Sequence, residues 1–353
     1  MDLLALAEEL CAIPSVSQHE AALVEAVEAR LRVTASTLDI ERVGDNIVVR
    51  SQLGRERRVL RGGHLDTVPP NENQSPHRDG DTLYGLGTAD MKGGLAVMLA
   101  VAAAVAAQPG QARFDVTLVF YVGEEIAEVF NGLRAVFADR PELVAGDLAI
   151  LLEPTDGWVE AGCQGTLHLR ATFRGARAHS SRPWMGENAI HRAGATLARL
   201  AESDPGPIDV DGLEFRQALQ VVSIEGGIAN NVVPDMCTVT VNRRFAPSVS
   251  LADAEAETRA LLTEADEIEV VNASAAAPPN LWNPLIAELV GTFDLGVRPK
   301  LGWTDVARFA AHGIPALNFG PGDPTLAHTA GECVTRESLD GAYAVLARFL
   351  GVA

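Results

Sequence analysis

Apolar residues along the chain follow two periods. Residues 3–13 and 20–31 repeat them at helical spacing, and 37–42, 46–51 and 58–62 read as short strands. Residues 92–107 predict a helix rich in strong helix formers and opened by Gly93 and Gly94. DVTLVFYV (115–122) and LAILL (148–152) are almost continuously apolar, as strands buried on both faces are. This part of the chain therefore predicts an α/β domain with a mostly parallel sheet under helices. From residue 166 the order changes to strand (166–173), helix (187–201), two strands (219–225, 237–245), helix (251–264) and strand (267–271). That is β-α-β-β-α-β, the ferredoxin-like order. After AAAPPN (275–280) the first pattern resumes with helix 305–311, strand 316–319 and helix 336–350. The expected division is a domain of 1–164 and 279–353 carrying an inserted domain, 165–278.

Composition narrows the function. Hydrophobic residues make up 47% of the 353, enough for two packed cores. The net charge of −19, with 28 scattered Lys and Arg, argues against a nucleic-acid partner. The strands of the insert also lack the stacking aromatics that ferredoxin-like RNA binders use. No leader-like segment opens the chain, and the apolar run 94–107 is short for a membrane span, so a soluble cytoplasmic protein is expected. The four cysteines stand alone, which leaves oxygen and imidazole as the available metal ligands.

Such ligands recur where strands end. His64 and Asp66 follow the strand in RGGHLDTVPP; Glu124 and Glu125 follow DVTLVFYVG; Glu153 follows LAILL. His328 lies in the loop after ALNFG, and Asp90 precedes the helix in GLGTADMKGG. Ligands of open α/β sheets bind beyond the carboxyl ends of the strands, so these residues can share one rim. Two imidazoles and several carboxylates exceed the needs of one tetrahedral ion and suit two metals sharing a carboxylate. Of two adjacent glutamates, one can bind metal while its neighbour serves as general base. A carboxylate at Asp66 can fix the tautomer of His64. Taken singly, each residue has an ordinary structural alternative: Asp90 as a helix cap, Glu124-Glu125 as a solvated turn, His64 as a satisfied histidine.

HLDTVP, GLGTADMKGG, GEE, LLEP and AHTAGE, in that order, resemble the motifs of the M20 family of two-zinc metallopeptidases and deacylases over essentially the whole chain. The stretch 302–328 is most similar to the actinobacterial type of succinyl-diaminopimelate desuccinylase. The resemblance implies two Zn2+ per subunit, with Co2+ as a substitute. His64 and Glu153 would hold one ion, Glu125 and His328 the other, and Asp90 would bridge them. It implies Glu124 as general acid/base, Asp66 as the orienting group, and a cis peptide at Asp90–Met91. In the insert it implies that His179 hydrogen-bonds the oxyanion across a homodimer, and that Asn230, Asn231 and Arg244 contact substrate. Thr304 and the turn at Gly320–Gly322 complete the implied pocket. The implied reaction is hydrolysis of the succinyl amide of N-succinyl-L,L-2,6-diaminopimelate. N-acetylornithine deacetylase, a dipeptidase or another N-acyl-amino-acid hydrolase is the alternative, because all share the metal ligands. Three positions depart from the commonest pattern: Gly123 before Glu124, Thr88, and Gly-Cys-Gln-Gly at 162–165.

Overall fold

The structure, a computed structural model, describes all 353 residues and divides into two compact units. The first comprises Met1–Ala161, Asn280–Arg298 and Arg308–Ala353; the second comprises Gly162–Pro279 and Pro299–Ala307.

The first unit is built on an eight-stranded sheet. Its spatial order is Asp39–Val43, Asn46–Arg50, Asp115–Tyr121, Arg58–His64, Leu148–Leu151, Ala316–Asn318, Val159–Ala161 and Val297–Pro299. Asp115–Tyr121, Arg58–His64, Leu148–Leu151 and Ala316–Asn318 pair parallel, while the pairings at Asn46–Arg50 and at Val159–Ala161 are antiparallel. The parallel strands are those with continuous apolar runs, and every residue of Asp115–Tyr121 and Leu148–Leu151 is buried. Helix Gly93–Ala107 is apolar around its circumference and lies within the core. Together with the turn before it, it forms a 20-residue stretch, Thr88–Ala107, long and apolar enough to cross a membrane, yet 78% of its most apolar window is buried inside the protein.

The strand beginning at Arg58 runs on to His64 rather than ending at Gly62. Its glycines reflect close packing, not a turn. A Cβ on Gly62 would fall 2.5 Å from Leu151 Cδ2, and one on Gly63 would fall 2.8 Å from Met98 Sδ. Arg61 precedes them and is fully buried, with no hydrogen-bond partner for any guanidinium nitrogen. Burial alone lowers its pKa to about 9.

The second unit has a four-stranded antiparallel sheet in the order Ala218–Gly226, Met236–Phe245, Gly165–Arg174, Glu267–Ser274. With helices Ala189–Glu202 and Leu251–Ala260 this is the ferredoxin-like arrangement expected. Alternate residues of Gly165–Arg174 and Met236–Phe245 point inward, and Leu167, Leu169, Phe173, Val239 and Val241 form the core. A hairpin, Pro207–Val210 with Leu213–Arg216, is inserted ahead of the edge strand Ala218–Gly226.

Candidate metal centre

The parallel strands of the first unit deliver their ligands by ending together. His64 is the last residue of its strand, Glu124 and Glu125 follow Asp115–Tyr121 after two residues, and Glu153 follows Leu148–Leu151. Gly123 has φ 71°, and a Cβ there would fall 2.4 Å from the carbonyl oxygen of Phe130. The chain turns there in a left-handed conformation against a backbone, which suits a glycine. Asp90 has extended φ and ψ (−119°, 93°) in the turn before helix Gly93–Ala107, and its peptide bond to Met91 is cis, as the resemblance implied. His328 reaches the rim from a loop, also with positive φ (64°).

Asp90 lies between the two histidines. Its Oδ1 is 3.0 Å from His64 Nε2, and its Oδ2 is 3.4 Å from His328 Nε2. His328 Nε2 is also 3.0 Å from Glu125 Oε1. Donor atoms of His64, Asp90 and Glu153 lie within 4.8 Å of one another, as do those of Asp90, Glu125 and His328, and those of His64, Glu124 and Glu125. The first two groups share Asp90. Four carboxylates thus converge on two imidazoles, a donor set that fits divalent cations with oxygen and nitrogen ligands.

Titration behaviour expresses the same surplus of negative charge. Burial pulls the His64 imidazole down, but Asp66, Asp90 and Glu153 outweigh it and hold its pKa well above the ordinary value. Hydrogen bonds to Asp90 and Glu125 raise His328 to about 10. Burial pushes Asp90 up, yet His328 and His64 hold it well below the usual carboxylate range.

Asp66 is wholly buried, and its contacts differ in detail from the expectation. Its main-chain oxygen is 3.0 Å from His64 Nδ1, whereas its carboxylate Oδ1 is 3.5 Å away. The carboxylate mainly holds the next strand end. Oδ1 accepts the Glu124 N–H and Oδ2 the Glu125 N–H, both at 3.0 Å, and the Ser17 hydroxyl donates to Oδ2 at 2.8 Å. Against the effect of burial, His64 first and then the bonds from Glu125 and Ser17 hold Asp66 at about 2.

Ser17 and Glu332 are the residues at this rim that sequence reasoning missed. Glu332 belongs to the AHTAGE motif, but nothing in the motif assigns it a task. The Gly320–Gly322 turn lies beside the Asp90 loop: a Cβ on Gly322 would be 3.0 Å from that of Ala89. Thr88, a departure from the common pattern, spends its hydroxyl on the Gly85 carbonyl at 2.7 Å.

The other expected substrate residues belong to the second unit. His179 is exposed, and its Nδ1 accepts from the Ser181 N–H at 3.1 Å. The neutral ring therefore carries its proton on Nε2. Asn230 and Asn231 are exposed on the segment facing it, where His179 pairs with Val232 and the Ser180 N–H donates to Asn231 O at 2.9 Å. Arg244 is half-buried on Met236–Phe245, and Thr304 is buried. In the divergent Gly-Cys-Gln-Gly turn, Cys163 Sγ lies 3.8 Å from Thr304 O and the Gln164 amide donates to Arg216 O at 2.6 Å. Of the histidines left structural, His312 stacks on Phe137 and His77 on Tyr84.

The family model described as Peptidase family M20/M25/M40 matches residues 60–351. A succinyl-diaminopimelate desuccinylase of Corynebacterium glutamicum is 39% identical over 99% of this chain and 96% of its own length. A Mycobacterium tuberculosis chain that carries the same name provisionally is 46% identical over 99% of this chain and 98% of its own. Among solved structures, an M20 family metallo-carboxypeptidase from Sulfolobus solfataricus superposes with a TM-score of 0.82 at 16% identity, covering 100% of this chain and 99% of that one. A dinuclear metal-binding M20 peptidase from Bacillus subtilis superposes with a TM-score of 0.72 at 14% identity, over 99% and 96%. At these identities the structural matches establish the fold.

Proposed function

The chain belongs to peptidase family M20/M25/M40, and on that premise we propose that it hydrolyses the succinyl amide of N-succinyl-L,L-2,6-diaminopimelate. The products are succinate and L,L-diaminopimelate. The observation that carries the reading is the Asp90 carboxylate, with one oxygen toward His64 and the other toward His328. Full-length likeness to the two actinobacterial relatives supports the substrate.

His64 and Glu153 would hold one Zn2+ and Glu125 and His328 a second, with Asp90 common to both; Co2+ is the substitute ion. Two such ions supply Lewis-acid polarisation of the acyl carbonyl and acidify water. Glu124, its main chain fixed by Asp66, takes a proton from the attacking water on a carboxylate oxygen. The water oxygen bonds to the acyl carbon, and Glu124 returns the proton to the departing nitrogen as the C–N bond breaks. His179 would donate its Nε2–H to the oxyanion. Asn230, Asn231, Arg244, Thr304 and Gly322 would bind the substrate's carboxylates and main atoms.

The reading gives residues 165–278 the part of an inserted lid and dimerisation domain, with 1–164 and 279–353 as the catalytic domain, in a cytoplasmic homodimer. The edge strand Ala218–Gly226 favours a second copy as partner, since it exposes Val222 and Ile224 along an unpaired edge.

The test is a parallel assay of the zinc-loaded protein on N-succinyl-L,L-diaminopimelate, N-acetylornithine and dipeptides. Turnover of the succinyl compound alone supports the proposal. Preference for an acetyl or peptide substrate moves the chain to another activity of the same family.

A further inference from the structure

We propose that Glu332 is a positioning residue for Asp90, clamping the main chain of the loop that carries it. The inference rests on the reading of Asp90 as the shared metal ligand. Glu332 Oε1 accepts the N–H of Ala89 and the N–H of Asp90, both at 3.0 Å, and the residue is 1% exposed. The same residue holds the loop at its other end, since the Gly85 N–H donates to Glu332 O at 3.0 Å. Its own main chain is fixed: its N–H donates to Thr329 O at 3.2 Å, and Cys333–Thr335 pairs with Thr82–Tyr84.

Burying a carboxylate is costly unless its oxygens receive hydrogen bonds. Here the bonds go to two consecutive main-chain donors, the second of which belongs to Asp90. Asp66 makes the same kind of contact with Glu124 and Glu125. The loop of Asp90 and the loop of Glu124 and Glu125 thus each have two successive N–H groups held by a buried carboxylate from elsewhere in the chain. Fixing the Asp90 N–H fixes the direction in which its side chain leaves the backbone, and hence how its two oxygens are shared between His64 and His328. Glu332 also lies four residues after His328, so one short segment carries a ligand and the clamp on its neighbour.

The experiment titrates metal-free wild type, Glu332→Gln, Glu332→Asp and Glu332→Ala with cobalt(II) chloride, reading affinity and the visible d–d spectrum. Steady-state kcat and KM on the N-succinyl substrate are read alongside. The Gln side chain keeps an acceptor oxygen in place and should leave the spectrum and affinity close to wild type. Asp keeps the charge but withdraws the oxygen, and Ala removes it. Both should weaken cobalt binding or lower kcat by about 10–100-fold, with an altered spectrum and little change in KM. Gln and Ala variants equally impaired beside a normal Asp variant would overturn the clamp, because charge would then be what matters. An Ala variant with wild-type affinity and spectrum would overturn it too. If Glu332→Ala does not fold, the Gln and Asp pair decides. A wild-type chain that binds no cobalt would instead overturn the reading of Asp90 as a ligand.

Discussion

The carboxylate of Asp66 accepts the main-chain N–H of Glu124 at 3.0 Å, so the residue beside His64 also fixes the backbone of the proposed general base. Removing it strands the N–H groups of Glu124 and Glu125 and leaves the Ser17 hydroxyl only the Thr67 carbonyl, at 3.4 Å. Asp66→Ala is expected to cost about 10–100-fold in metal affinity or turnover. It should also destabilise the fold by about 1–3 kcal/mol for each donor left unsatisfied. Asp66→Asn keeps one acceptor oxygen and should fall between. Urea unfolding and zinc titration of both variants check this; an Ala variant with unchanged zinc affinity and kcat would contradict it.

Glu124→Ala is expected to bind metal as the wild type does and to lose turnover by about 10²–10⁴-fold, the usual contribution of a general base. Metal content after dialysis and kcat on the N-succinyl substrate decide. Substantial remaining activity would remove Glu124 from that role.

Metal binding should release protons. In the metal-free chain His64 and His328 carry pKa values above the unfolded value of about 6.5, and His328 stands at about 10. A group raised on folding contributes stability that is complete below its unfolded pKa and lost as pH rises through its folded one. The stability His328 gives the metal-free protein is therefore full below about 6.5 and gone above about 10. Zinc affinity should rise across the same window as the competing protons leave. Calorimetry at pH 7 in buffers of different ionisation enthalpy should give buffer-dependent heats. Identical heats would show that both imidazoles are already neutral.

Arg61 carries a charge into an apolar interior without a hydrogen-bond partner. Strand alternation puts it on the face of Gly63, which packs against Leu95 and Met98. Arg61→Leu should raise the unfolding free energy by about 1–3 kcal/mol, read as a higher urea midpoint at unchanged m-value. A lower midpoint would contradict this.

Much of the candidate site was legible because its residues stand at the ends of apolar runs. Glu124, Glu125 and Glu153 each follow a strand whose burial on both faces shows in composition alone, and His64 closes the strand between those two. The pairing of roles, and the place of His328 in a long irregular loop, came through the family resemblance instead. Glu332 was not legible, because it acts on an N–H group 242 residues away and side chain-to-backbone contacts leave no periodic trace. The strands His77–Asp79, Thr82–Tyr84 and Cys333–Thr335 were missed because three residues are too few to show alternation. The strand end was placed at Gly62 because glycine reads as a breaker. Packing against Leu151 and Met98 is what requires it, and no local pattern records that.

The central claim is that Asp90 joins two metal sites in one hydrolytic centre. It is tested most directly by adding zinc to the metal-depleted protein while following bound metal and hydrolysis of N-succinyl-L,L-diaminopimelate together. The account predicts that binding saturates at two equivalents per chain, that full activity requires zinc, and that Asp90→Ala loses both ions' tight binding at once. Full activity without metal, or an Asp90→Ala variant that still binds two equivalents tightly, would contradict it.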